Sequence, residues 1–167
     1  MKKSLFVIIN LILALIQITV TWKLGIGWHN LGLALSSVIV LSVFDIKSAY
    51  ISAFLSGFFL DCVQGRFLFV YMISYFVCVT FIYFASKMMN KRSLMAVLIL
   101  TFVLSFAVEF LQFLIFILPQ GNSSISFVLT KLIFPQVFYN LICSALIYYI
   151  YKKLWKKLRI ETERWYY

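Results

Sequence analysis

The amino-acid sequence predicts an all-α polytopic membrane protein with about six transmembrane helices, two of them short. Three observations lead to this prediction: the composition, the length of the apolar runs and the distribution of basic residues. Of the 167 residues, 64% are hydrophobic and only 12% are charged, whereas a soluble domain averages about a quarter charged residues. So little polar surface cannot cover a water-soluble globule, so we expect lipid to surround the chain.

The apolar runs define the predicted helices, because about 20 apolar residues cross the hydrocarbon core of a bilayer. The runs cover approximately residues 4–22, 31–44, 48–62, 67–86, 94–118 and 132–151. The second and third are short, since about 14 residues span only about 21 Å at 1.5 Å per residue. We expect this pair to be thin, tilted, or re-entrant and buried in protein.

The basic residues predict the orientation. With the N-terminus inside, 12 of the 15 Lys and Arg residues fall on the inner side and only Lys23, Arg66 and Lys131 on the outer side. Cytoplasmic loops carry such an excess of basic residues, so we expect both termini on the cytoplasmic side of the membrane. This placement also accounts for the net charge of +10, and we predict no nucleic-acid binding.

The expected domain organisation is one transmembrane domain, residues 1–151, followed by a basic cytoplasmic tail, residues 152–167. The tail carries four lysines on one helical stripe, with apolar residues between them. The residues concerned are Lys152, Lys153, Trp155, Lys156 and Lys157. We expect this stripe to lie in the inner membrane interface against anionic lipid, with docking of a cytoplasmic partner as the alternative.

Two rows of small residues mark the third predicted helix. One row is Ala49, Ala53 and Gly57, and the adjacent row is Ser48, Ser52 and Ser56. Residues four apart share a helix face, so the first row leads directly to Asp61. Rows of small residues let helices approach closely in lipid. We expect this face to dock another helix and Asp61 to anchor the turn ending at Gly65; the alternative places Asp61 in interfacial water.

Glu109 is the most deeply placed acid, and Ser105 and Gln112 share its predicted helix face. An intramembrane carboxylate is costly and normally faces the interior of a bundle. We expect an internal polar clamp, with Asn140 or Tyr139 as the candidate partner. Ion coupling and a hydrogen bond to a partner protein are the alternatives.

The stretch FPQVFYN, residues 134–140, opens the last predicted helix. Pro135 suits a first helical turn, where its missing N–H costs nothing. Tyr139 follows one turn later, and the amide of Asn140 needs a hydrogen-bond partner in lipid. We expect these residues to pack helices together.

The sequence indicates neither an enzyme nor a cofactor-binding protein. It contains no nucleophile–base pair, glycine-rich phosphate loop or cluster of metal ligands. The three cysteines, Cys62, Cys78 and Cys143, have the spacing of neither a metal site nor a disulfide framework.

Two stretches resemble the rod shape-determining MreD family. Residues 56–75, SGFFLDCVQGRFLFVYMISY, are similar to a family stretch in which a glycine, apolar residues, an aspartate and a second glycine precede an apolar span. Gly57, Asp61 and Gly65 occupy the motif positions. Residues 134–154, FPQVFYNLICSALIYYIYKKL, resemble the closing helix of the family. There the corresponding residues are Pro135, Tyr139 and Asn140.

The resemblance implies a non-enzymatic adaptor of the bacterial cell-elongation machinery, which controls rod shape and peptidoglycan synthesis. It implies binding to the single-span protein MreC and, with MreC, a link from MreB filaments to the RodA polymerase and its transpeptidase. It also implies a fold like the six-helix substrate-binding subunits, or S-components, of energy-coupling-factor vitamin transporters.

Two other functions remain open at this point. The first is an S-component itself, which requires a polar or aromatic ligand pocket on the outer side. The sequence offers Trp22, Trp28, His29, Asn122 and Lys131 there. The second is a small ion-coupled carrier that uses Glu109.

Overall fold

The computed structural model describes residues 4–24, 32–64, 69–85, 93–117 and 133–157. These residues are helical nearly throughout, and no strand occurs among them. The helices are α1 (Ser4–Leu24), α2 (Leu33–Phe44), α3 (Ile46–Gln64), α4 (Val70–Ala85), α5 (Leu94–Gln112) and α6 (Phe134–Lys157), and a π-helical turn, Phe113–Ile117, follows α5. The predicted all-α class is confirmed for the part of the chain that the structure describes.

The shortest helix, α2, lies at the centre of the bundle and contacts each of the other five helices. Every residue of α2 except Leu33 and Val43 is buried, as expected for a helix that is apolar on all sides. Its 12 residues rise about 18 Å, which is less than the hydrocarbon thickness of about 30 Å. The second helix is therefore short, as the sequence predicted.

The turn between α2 and α3 consists of Asp45, whose extended backbone ends the first helix. The Asp45 N–H donates to the Leu41 carbonyl at 2.8 Å, and its own carbonyl accepts from the Ala49 N–H at 3.1 Å. The Ser48 hydroxyl donates to its carboxylate at 2.5 Å. Asp45 thus closes α2 and caps α3, so α3 begins at Ile46 and is longer than the predicted run of residues 48–62.

Aromatic contacts define one end of the bundle, which we call the Trp155 end. The Trp155 ring lies 5.2 Å from that of Phe6, near the start of α1, and 5.6 Å from that of Phe44, at the end of α2. Because the start of α1 and the ends of α2 and α6 meet here, the exposed lysine Lys47, close after Phe44, lies at this end as well.

The Trp155 end corrects one prediction and bears on a second. Trp155 is buried between Phe6 and Phe44, so it is a core residue and not an interfacial one. Helix α6 continues without a break past Tyr151 to Lys157, so the predicted boundary at residue 151 falls inside a helix. The reason is that burying the Trp155 and Tyr151 rings ties two further turns of α6 to the bundle.

The outward faces of the described helices other than α2 are predominantly apolar. They carry exposed side chains that include Ile8, Ile12, Phe54, Phe58, Phe81, Phe84, Ile99, Phe102, Phe138 and Leu146. By length and composition, two helical stretches are sufficient to cross a bilayer: Ile46–Val63 in α3, and Leu94–Ile115, which combines α5 with its π-helical turn.

Candidate functional site: buried polar contacts between the helices

The small-residue row of α3 lies inside the bundle. Ala49 and Ala53 have no exposed surface. A Cβ atom added to Gly57 would lie 2.5 Å from the Cα of Met72 in α4, a distance that no packed side chain tolerates. The row therefore packs within this chain, and α4 fills the face at Gly57 that the sequence analysis offered to a docking partner.

The serine row faces another helix. Asn10 of α1 donates through Nδ2 to the Ser52 hydroxyl at 3.1 Å. The Tyr151 hydroxyl of α6 donates to the other amide atom, Asn10 Oδ1, at 2.8 Å. These three buried side chains join α1, α3 and α6. The sequence analysis missed Asn10, although an amide within an apolar run signals a buried hydrogen bond.

Asp61 anchors the start of α4. It is 3% exposed, and its two carboxylate oxygens accept hydrogen bonds from the backbone N–H groups of Tyr71 and Met72, each at 3.0 Å. The first N–H groups of a helix have no intrahelical acceptor, and a negative charge is favourable at that end. The residue before the helix, Phe69, has a positive φ of 76°, so Asp61 fixes a strained entry into α4.

Several candidate residues lie outside the described residues. Gly65, which the sequence analysis placed at the end of the turn after Asp61, belongs to this group. The same group includes Trp28, His29, Asn122 and Lys131. For Trp22, only the helical backbone is described.

Asn140 connects three helices. Its Nδ2 donates to the Ser105 hydroxyl of α5 at 3.1 Å, and its backbone carbonyl accepts from the Ser36 hydroxyl of α2 at 3.0 Å. A Cβ atom added to Gly32 would lie 1.9 Å from Asn140 Oδ1, so a larger residue there would displace the Asn140 side chain. Asn140 is thus the packing residue that the sequence predicted, with Ser105 and not Glu109 as its side-chain partner.

Glu109 meets α6 at a different residue, Gln136. The Gln136 side chain is 2% exposed and lies beside the Glu109 carboxyl. The Gln136 amide and the Glu109 carboxyl nevertheless do not meet hydrogen-bond geometry, because neither Nε2 nor Oε1 of Gln136 has a hydrogen-bond partner. Tyr139, the other candidate for the clamp, is exposed on the outward face of α6. The residue of α6 beside Glu109 is therefore Gln136 and not Asn140 or Tyr139, and no hydrogen bond closes the expected clamp.

Aromatic residues are close to this pair along α5 and α6. Phe106 and Phe110 stack with their centroids 6.4 Å apart and their planes 5° apart, and Phe106 also contacts Phe134 of α6 at 6.5 Å. Phe110 and Phe134 are exposed. We call these three phenylalanines, with Glu109 and Gln136, the Glu109 corner.

The Glu109 corner and Asp61 lie at the same end of the bundle, opposite the Trp155 end. The hydroxyl of Tyr71, whose N–H binds Asp61, donates to Gln112 Oε1 at 3.5 Å. Gln112 lies less than one turn after Glu109 in α5. The two acids are thus placed on the two sides of Tyr71, one between α3 and α4 and one between α5 and α6.

The remaining candidates lie near the ends of α6. Pro135 is in the first turn of the helix, where its missing N–H is not needed. The four predicted interface lysines, Lys152, Lys153, Lys156 and Lys157, are all exposed in the last two turns. Lys152 Nζ lies 5.5 Å from the centre of the Tyr148 ring.

The described residues contain no group of three or more His, Cys, Asp or Glu side chains arranged to hold a metal ion. In comparisons with known proteins, no family model, curated protein or solved structure matches the chain.

Proposed function

We propose that the protein is a polytopic inner-membrane adaptor of the bacterial cell-elongation complex, without enzymatic activity. In this role it binds an MreC-like single-span protein and links MreB to the RodA polymerase and its transpeptidase. The helices form about six spans around the short central α2, with both termini in the cytoplasm.

The observation that carries the membrane assignment is the inverted distribution of polar side chains. Asn10, Ser52, Tyr151, Asn140 and Ser105 bond to one another in two clusters inside the bundle, whereas phenylalanine, isoleucine and leucine cover the outward faces. A water-soluble protein rarely exposes such a large contiguous apolar surface. Lipid accounts for it without cost, because the helices satisfy their own backbone groups.

The orientation is supported by the lysines at one end. Lys47 and the four lysines of α6 are exposed at the Trp155 end, and the N-terminal lysines Lys2 and Lys3 directly precede α1. Basic residues concentrate on the cytoplasmic side, so we place the Trp155 end in the cytoplasm and the Asp61 end outside.

The adaptor assignment is supported by the MreD-like motif residues within the described part. Gly57 and Asp61 hold α3 against α4, and Asn140 holds α6 against α2 and α5. These residues maintain a rigid bundle and do not form a reaction centre. Because the small-residue row is filled internally, we place the docking surfaces of the adaptor on the outward helix faces.

The test is the isolation of the tagged full-length protein from native membranes after mild cross-linking. The proposal predicts recovery of a single-span protein together with wall-synthesis proteins. A tagged, unrelated polytopic protein of the same membrane provides the control for non-specific capture. Recovery of the protein without any single-span partner, under conditions that preserve other membrane complexes, contradicts the adaptor function.

One observation favours the S-component as a second candidate. Tyr71, Gln112, Glu109 and Gln136 gather polar side chains at the outer end, the side on which such a subunit binds its ligand. Mass spectrometry of the purified protein distinguishes the two functions, since a stoichiometric co-purified vitamin indicates the transporter subunit.

A further inference from the structure

We propose that the Glu109 corner is the docking site for a transmembrane helix of a partner protein, and that this helix presents an Arg, Lys, His, Asn or Gln side chain to the Glu109 carboxyl. This inference rests on the adaptor function proposed above and assigns the partner contact to specific residues.

The first observation is the unsatisfied amide behind the acid. Gln136 is 2% exposed, and neither polar atom of its side chain has a hydrogen-bond partner. Buried amides are almost always paired, and an unpaired one costs more in an apolar surrounding than in water. Glu109, whose carboxyl lies beside this amide, is as a residue only partly buried. A donor that approaches from outside can reach it.

The second observation is the shape of the surface around the acid. Phe106, Phe110 and Phe134 form one aromatic cluster that spans α5 and α6. Large aromatic side chains supply most of the energy at protein interfaces.

The third observation is the π-helical turn Phe113–Ile117, which begins directly after this stretch of α5 and is a geometry often found at functional sites.

The chemistry selects the occupant. Acyl chains offer no hydrogen-bond donor, so lipid leaves the carboxyl and the amide unsatisfied. A second copy of this chain docked by two-fold symmetry would bring the same surfaces together and place one Glu109 close to the other. A partner helix with a basic or amide side chain provides the complementary donor, and interhelical hydrogen bonds of this kind stabilise helix pairs in membranes.

The chain contains a matched control surface on α3. Phe54 and Phe58 stack with the same geometry as Phe106 and Phe110, with centroids 6.5 Å apart and planes 5° apart. Both rings are exposed. The acid of this helix, Asp61, already accepts two backbone hydrogen bonds. The two aromatic pairs share their stacking geometry and differ in the acid beside them and in the third ring, Phe134, that joins only the pair on α5.

The experiment places the photoreactive residue benzoylphenylalanine at Phe110 or, as the control, at Phe58 of the full-length protein in native membranes. We expect cross-linking from position 110 to a single-span protein, in a peptide whose transmembrane segment carries one of the five donor residues. Position 58 should give little or none. Glu109→Gln should lower the yield from position 110 about three- to twentyfold, the range measured for interhelical hydrogen bonds.

A second variant distinguishes the loss of the partner contact from misfolding. Glu109→Leu replaces the polar group with an apolar one of similar size, so the bundle should fold at least as well as the original, yet cross-linking should fall as far. Changing the donor residue of the partner to Leu should lower the cross-linking yield by the same factor. The two changes combined should lower the yield no further than either change alone.

Four results overturn the inference: a linked peptide without such a donor, a link to a second copy, a link to lipid alone, or an unchanged yield in both Glu109 variants. Equal or stronger linking from position 58 to a co-purifying single-span protein removes this docking site and leaves the adaptor function intact. Absence of any single-span partner from the co-purification removes both.

Discussion

The two acids at the end of the bundle opposite the Trp155 end have opposite surroundings. Asp61 is buried, and both of its oxygens accept hydrogen bonds from the N–H groups of Tyr71 and Met72. Glu109 is only partly buried and lies beside Gln136, whose amide has no partner. A fully satisfied acid holds its own chain together, whereas we propose that an acid beside an unpaired amide binds another molecule. Burial alone therefore does not distinguish these two roles.

The largest effect is expected at the close contact between Gly57 and Met72, one turn before Asp61. Gly57→Leu would force α3 away from Met72, because even a Cβ atom lies 2.5 Å from the Met72 Cα. Overpacking typically costs about 1–3 kcal/mol and more where backbone must move. We expect loss of the monodisperse protein in detergent, measured by size-exclusion chromatography. Phe58→Leu, at the neighbouring exposed position, is the control and should have no effect.

The next effect is expected at Asp61 itself. Asp61→Ala leaves the N–H groups of Tyr71 and Met72 without their acceptor, at a cost of about 1–3 kcal/mol for each buried group left unpaired. The melting temperature should fall, and these two amides should exchange with deuterium faster. An unchanged exchange rate at both amides would show that Asp61 does not cap α4.

A smaller effect is expected on the opposite side of the bundle. Tyr151→Phe removes the hydroxyl that donates to Asn10 Oδ1 at 2.8 Å and should lower the free energy of unfolding by about 0.5–1.5 kcal/mol. Thermal unfolding in detergent measures this change. Tyr149→Phe alters an exposed ring of the same helix and should leave the unfolding temperature where it was.

The smallest effect is expected at Gln136. Gln136→Leu removes an amide without hydrogen-bond partners, so we expect an unchanged or higher melting temperature. Gln17→Leu is the matched control, because Gln17 Oε1 accepts the Ala34 N–H at the start of α2 at 2.8 Å. A clear loss of stability in Gln136→Leu, equal to that in Gln17→Leu, means that Gln136 is paired in the folded protein.

The sequence predicts the helices well because the apolar runs are long and separated by polar residues. The errors occur where tertiary contacts set the helix ends. Asp45 and Lys47 look like a break, but Asp45 caps α3 and the helix begins directly after it. The predicted apolar run ends at Tyr151, but α6 continues through the four lysines to Lys157, with the Trp155 ring buried.

The site was less predictable than the fold. Periodicity places Ala49, Ala53 and Gly57 on one face, yet it does not reveal that the chain's own α4 occupies that face at Gly57. Glu109 is conspicuous in an apolar run, whereas Gln136 resembles an ordinary residue of a first helical turn. Their proximity depends on how α5 and α6 pack, which the sequence pattern does not specify.

The most direct test of the contrast between the corners is the yield of co-purified single-span partner per folded molecule, compared for Glu109→Leu and Asp61→Ala. We predict that Glu109→Leu retains its melting temperature and loses most of the partner. Asp61→Ala should lose stability, while the molecules that remain folded bind the partner normally. The opposite result is that Glu109→Leu binds the partner like the unmodified protein and that the partner yield follows the melting temperature in both variants. That result would contradict a role of Glu109 in partner binding.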